Sequence, residues 1–196
     1  MSGSRAFNGR FRMRAGLRAR AIALLAAGSG LAIATTNASA ETVVAHLKGF
    51  NETPSVSTTG AGHFTARIDD KAGTIFWELD YSGLQADATQ AHIHFGQRHV
   101  AGGITVWLCA NNPPITTAPA GTQACPVRAG TLNGTIMAAN VVGPGGAQQL
   151  PAGGFEQLVD AIRAGATYAN VHSTVSPAGE IRGQIHGRLQ GHDEHH

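Results

Sequence analysis

The chain carries ten histidines, and two of them stand in the pattern His92-Ile93-His94. On a β-strand successive side chains alternate between faces. These two imidazoles therefore project together, while Ala91, Ile93 and Phe95 take the other face. A neutral imidazole offers a lone pair to copper, zinc, iron or nickel, and two of them on a rigid strand make half of a metal site. The competing expectation is a solvated strand face that happens to carry two histidines. His46, His63, His99 and His186 are further donors, but no spacing selects one of them as an additional ligand. Other chemistry finds less support. No Gly-x-Ser-x-Gly elbow is present for a serine hydrolase, and Gly143 to Gly146 is a linker rather than a phosphate-cradling loop between a strand and a helix.

Histidines on strands need a sheet to hold them, and the rest of the chain is patterned for one. Val43 to Gly49 alternates, as does His63 to Asp69 with Phe64, Ala66 and Ile68 on one face. A hairpin loop, Asp69 to Gly73, leads to a strand in which Ile75, Trp77, Leu79 and Tyr81 alternate with Phe76, Glu78 and Asp80. Gln90 to Phe95, Ile104 to Leu108 and Thr131 to Met137 continue the pattern, and a Gly/Pro-rich linker follows from Val141 to Gly154. Phe155, Leu158, Val159 and Ile162 recur at helical spacing, which predicts one short helix near 155–163, ended near Gly165. Two closing strands are expected, Ala166 to Ser173 and Glu180 to Leu189, the second with Ile181, Ile185 and Leu189 on one face.

The fold class this implies is all-β: an antiparallel Greek-key β-sandwich of about seven to nine strands with that single helix. Its expected core is Phe64, Ile68, Ile75, Trp77, Leu79, Ile93, Val106, Ile136, Val171, Ile181 and Ile185. A charged fraction of 13% with 26 glycines excludes a helical bundle or coiled coil, and 42% hydrophobic residues exclude a disordered chain.

Residues 1–40 read as an export signal. Arg5, Arg10, Arg12, Arg14, Arg18 and Arg20 precede an apolar run from Ala21 to Ala34 that is too short for a stable membrane anchor. Ala38-Ser39-Ala40 then forms a small-residue cleavage site, with Glu41 as the new N-terminus. A mitochondrial transit segment is the other reading of an arginine-rich, acid-free start, but the continuous apolar run and the cleavage triplet favour export to a periplasmic or secreted location. Without residues 1–40 the chain keeps eight of its fourteen basic residues and all twelve acids, a net of −4 with histidine neutral. That balance removes the electrostatic basis for nucleic-acid binding. An oxidising compartment predicts that Cys109 and Cys125 pair, closing a proline-rich loop and stabilising the fold by roughly 3 kcal/mol. Thiolate metal ligation is the alternative, at a spacing without the close cysteine pairs of zinc sites.

Three separated stretches resemble motifs of the CHRD (chordin) domain family. Leu47 to Pro54 is similar to its opening motif, Ala91-His92-Ile93-His94-Phe95-Gly96 to its central one, and Tyr168 to Ser173 followed by Pro177 to Ile185 to its closing signature. They occur in the family's order and span about 43 to 189, within a domain expected over 41–190. One departure is that Arg98 and His99 stand before Gly102-Gly103, where the family usually has a Gly/Asn-Gly stretch. The resemblance implies an extracytoplasmic domain and, by analogy with chordin, a module that engages another protein. A fainter resemblance is to the copper half-site of copper/zinc superoxide dismutases, which carry a His-x-His strand and, near their end, a Val-His pair before a Gly-x-x-Arg segment. Val171-His172 and Gly179-Glu180-Ile181-Arg182 are similar to that ending, whereas the zinc ligands have no counterpart here.

These resemblances point to His92, His94 and His172 as metal ligands, with Arg182 in the anion-guiding role. Copper is the expected ion, and zinc is less suited. His172 is equally readable as a core histidine beside Tyr168 and Asn170, and Arg182 as a structural ion pair with Glu180. The tail, 191–196, is rich in histidine and acid and reads as a solvated terminus that scavenges metal weakly. Three readings stand: an exported copper-binding domain, a metal-independent protein-interaction module, and a copper-dependent dismutase-like oxidoreductase. Binding is favoured over catalysis.

Overall fold

The computed structural model describes residues 40–187 apart from Asn112. The stretch up to Ser39 expected to be an export signal, Leu189 and the tail lie outside the described residues. The described residues form nine strands: β1 (Glu41–Lys48), β2 (Ala61–Asp69), β3 (Thr74–Ser82), β4 (Ala88–Phe95), β5 (Gly103–Ala110), β6 (Gly130–Ile136), β7 (Thr167–Ser173), β8 (Ile181–Gln184) and β9 (His186–Gly187). One α-helix, α1 (Phe155–Arg163), precedes β7. Among the described residues no helix is long and apolar enough to cross a membrane.

All pairings are antiparallel, in the order β5-β4-β7-β8-β1-β2-β3-β6, with β9 also on β1. The expected antiparallel sandwich is found as a single sheet curled until its ends approach. Val141, just past β6, bridges to Val106 of β5. Every residue of the expected core is buried, and α1 adds Leu158, Val159 and Ile162. Cys109 and Cys125 are joined in a disulfide that ties the 110–124 loop to β5.

Two expectations need correction. The strand predicted over Glu180 to Leu189 starts at Ile181 and is interrupted at Ile185, whose N–H still donates to the Thr167 carbonyl in the β7–β8 register. The two pieces keep one register on β1, Arg182 opposite Lys48 and His186 opposite Val44. The stretch from Val141 to Gly154 is not a free linker. Val142 N–H donates to Thr105 O, Gly153 N–H to Val141 O, and Leu150 is buried. An apolar residue in a Gly/Pro-rich run is enough to pin it to the core.

Candidate metal centre

The site follows from strand register. Pairing of β4 with β7 sets Gln90 opposite His172, His92 opposite Asn170 and His94 opposite Tyr168. Asn170 in turn stands opposite Arg182 of β8, and Trp107 of β5 opposite His92. Residues facing each other across an antiparallel ladder share a face, so all of these project from one side of the sheet. Ala91, Ile93, Ala169, Val171 and Ile181 project from the other side, into the core. Register shifts in the β4–β5 ladder fall beside both His92 and His94, where a bulge re-aims the side chains.

This face is not solvated. His92 is 1%, His94 8% and His172 6% exposed, which sets aside the expectation of an open strand face. Two loops form the cover. His94 Nδ1–H donates to the Gly102 carbonyl at 2.9 Å, and His172 Nδ1–H to the Pro177 carbonyl at 2.9 Å. Gly102 also donates from its N–H to Tyr168 Oη at 3.1 Å, and a Cβ there would collide with the Phe95 carbonyl. Gly179 takes φ +128°, and a Cβ on it would lie 2.5 Å from Glu52 Oε1 and 2.6 Å from Asn170 Nδ2. Only glycine lets these loops close this tightly.

Aromatic rings fill the remaining sides. Tyr168 stacks on His94 with centroids 4.7 Å apart and planes 3° from parallel, and Trp107 meets His92 edge-on at 4.3 Å. Arg182 lies over the outer face of Tyr168, Cζ 3.4 Å from the centroid, and its Nη2 donates to the carbonyls of Gln97 and Val100 at 2.9 Å each. At 3% exposure it clamps the loop holding Arg98 and His99. The alternative ion pair with Glu180 does not form. Glu180 accepts from Thr58 Oγ1 and Gln85 N–H instead.

His92, His94 and His172 come together as potential ligands, their donor atoms all within 4.8 Å of one another. A carbonyl can only accept, so His94 and His172 carry their proton on Nδ1 and present a bare Nε2. His92 Nδ1–H donates to His172 Nε2 at 3.2 Å, which leaves His92 Nε2 bare as well. The Nε2 atoms of His92 and His94 are shut from solvent and have no hydrogen-bond partner. Burial pushes His92 down to about 2 and His94 down to about 4, and lowers His172, so all three are neutral imidazoles, the form that binds metal. Buried, unpartnered lone pairs cost about 1–3 kcal/mol each, and a cation among them would remove that cost. Three buried histidines can hold a metal ion.

His46, His63, His99 and His186 lie elsewhere and do not join the group. Sequence reasoning missed Glu52, Trp107 and the roles of Asn170 and Tyr168. Asn170 Oδ1 lies 3.0 Å from His172 Nε2, and its Nδ2 reaches Glu52 Oε1 at 3.5 Å. Burial pushes the Glu52 carboxyl up to about 7. The parity of Tyr168 and Asn170 with His172 is visible in the sequence, whereas Glu52, far away in the chain, gives no such signal.

The profile of the CHRD domain matches residues 43–185, a span that contains the three histidines, Arg182 and Glu52. Neither a curated protein nor a solved structure matches the chain. A profile match over most of the chain, together with the ordered opening, central and closing motifs, establishes that this protein belongs to the CHRD-domain family.

Proposed function

We propose that this protein is an exported CHRD domain that binds one copper ion through His92, His94 and His172. The observation that carries this reading is the pair of solvent-shut, unpartnered Nε2 atoms on His92 and His94, next to His172, whose unprotonated Nε2 accepts from His92 Nδ1–H. A metal-independent interaction module gives no role to two neutral imidazoles whose Nε2 lone pairs are shut from solvent without a partner. Arg182 is a positioning residue on this reading: it holds the 97–100 turn through two carbonyls and backs Tyr168 against His94. A guanidinium that is 3% exposed is poorly placed to steer an anion from solution, so binding is favoured over dismutation. The disulfide and the residues 1–40 pattern support an oxidising destination outside the cytoplasm.

The test uses the full chain recovered after export, with His192, His195 and His196 replaced by Asn so that the tail cannot bind. Its intact mass should begin at Glu41. Copper, supplied as Cu(I) and as Cu(II) in separate runs, should remain at one per chain after dialysis against a weak chelator. His92→Ala and His172→Ala should each lose it, with affinity falling well beyond the roughly 10- to 100-fold of changes outside the ligand set. Equal retention by parent and variants would overturn the site.

A further inference from the structure

The donors around this site are all neutral. No carboxylate or thiolate joins the three histidines among the described residues, and both cysteines are in the disulfide. The hydrogen bonds from His94 Nδ1 and His172 Nδ1 to backbone carbonyls keep Nε2 as an uncharged donor on each ring. The one further donor atom beside them, Asn170 Oδ1 at 3.0 Å from His172 Nε2, is an uncharged amide oxygen. A bound ion therefore keeps its whole charge in a buried place.

From this we infer that the site selects monovalent copper, Cu(I), over Cu(II) and Zn(II). The inference rests on the copper-binding reading above and names the charge state that the site accepts.

Three features of the structure support it. The cost of taking an ion out of water rises with the square of its charge, so a divalent ion pays about four times the penalty of a monovalent ion of the same size. A fixed cation adds to this: Arg182 is stacked on Tyr168, which is stacked on His94, and repels a bound ion in proportion to that ion's charge. Geometry points the same way. Zinc held by three histidines keeps an open fourth position for water, but the Nε2 atoms of His92 and His94 are closed off from solvent. Three histidine nitrogens within 4.8 Å of one another suit a three-coordinate Cu(I) ion. The acid within hydrogen-bond reach, Glu52, touches Asn170 and not a histidine, and burial holds it toward its neutral form.

The experiment is a set of competition titrations on the full chain with the tail histidines replaced by Asn, alongside the same protein carrying His92→Ala. Cu(I) is measured anaerobically against bicinchoninate, and Cu(II) and Zn(II) against chelators of graded strength. The expected result is Cu(I) held on the order of 100-fold tighter than either divalent ion, which corresponds to a copper reduction potential raised by about 120 mV over the unbound couple. Glu52→Gln should keep Cu(I) affinity within about threefold, because an uncharged site has no need of the carboxylate. If Cu(II) or Zn(II) binds as tightly as Cu(I) and is lost in His92→Ala, charge selection is overturned while the copper site stands. A loss of Cu(I) affinity in Glu52→Gln as large as the loss of Cu(II) affinity would also overturn it. If parent and His92→Ala bind every ion alike, the copper reading falls, and this inference falls with it.

Discussion

Strands β3 and β7 belong to one sheet and are built to different rules. In β3, Ile75, Trp77, Leu79 and Tyr81 are buried, while Phe76, Glu78, Asp80 and Ser82 face water. In β7 all seven residues from Thr167 to Ser173 are buried. The core lies on one side of both strands. Only β7, with β4 and β8, has a second covered side, roofed by the loops that end at Gly102 and Gly179. That second interior is polar and aromatic, and it holds the histidines. A polar residue that faces water and a polar residue that faces a roof look alike in a strand pattern. They differ in what their burial costs and in what their chemistry can do.

The contrast is broken most strongly through the core. Leu79→Ala should destabilise by about 2–5 kcal/mol in urea unfolding, and Phe76→Ala, at a position 52% exposed, by less than about 0.5 kcal/mol. On β7 no such silent position should exist: Asn170→Ala should cost about 1–3 kcal/mol, because it leaves buried partners unpaired. An Asn170→Ala protein as stable as Phe76→Ala would show that the second interior contributes nothing to the fold.

Acidity sharpens the comparison next. In the metal-free protein, burial holds His94 at about 4 and His92 at about 2 against an ordinary 6.5. Between those values the unfolded chain takes up protons that the folded chain refuses. Stability from this pair is therefore complete above pH 6.5 and is lost as pH falls from there, down to about 4 for His94 and about 2 for His92. Glu52 acts with the opposite sign. Its folded value of about 7 lies above the ordinary 4.5, so its contribution is complete below pH 4.5 and is lost as pH rises through 7. Relative to the parent, Glu52→Gln should gain on the order of 3 kcal/mol between pH 5 and pH 8. Parallel stability profiles for the two proteins would contradict a buried, protonated Glu52.

The smallest expected effect is the most specific to the site. His92→Leu removes the unpartnered Nε2 together with the Nδ1–H that His172 Nε2 accepts, so in the absence of metal it should change the unfolding free energy by no more than about 1 kcal/mol. The same variant should lose all stabilisation by added copper, measured as the shift in thermal midpoint. A His92→Leu protein that is destabilised without metal and still stabilised by copper would place the ion elsewhere.

Much of this architecture is local enough to read from the chain. Alternation along β2 and β3, helical spacing in α1 and the pairing of two cysteines each depend on neighbours or on a small count. All of them appear in the structure. The trio His92, His94 and His172 was also legible, but through motif resemblance: the spacing of His92 and His94 says nothing of a residue some eighty positions later. What stayed hidden was set by contacts distant in sequence. Nothing near Glu52 shows that it meets Asn170, and nothing in Arg182 shows that it clamps carbonyls 97 and 100 rather than pairing with Glu180.

The sequence by itself determined which stretches are extended and which of their faces are apolar, because those properties repeat with the two-residue period of an extended chain. Tertiary structure alone decided that the histidine face has a roof. Strand register aligned four strands' polar residues into one row, and glycine-permitted loops closed over them. Excluding water turned ordinary imidazoles into neutral, unpartnered donors, because a lone pair that solvent would satisfy on an open face has no partner beneath a closed one.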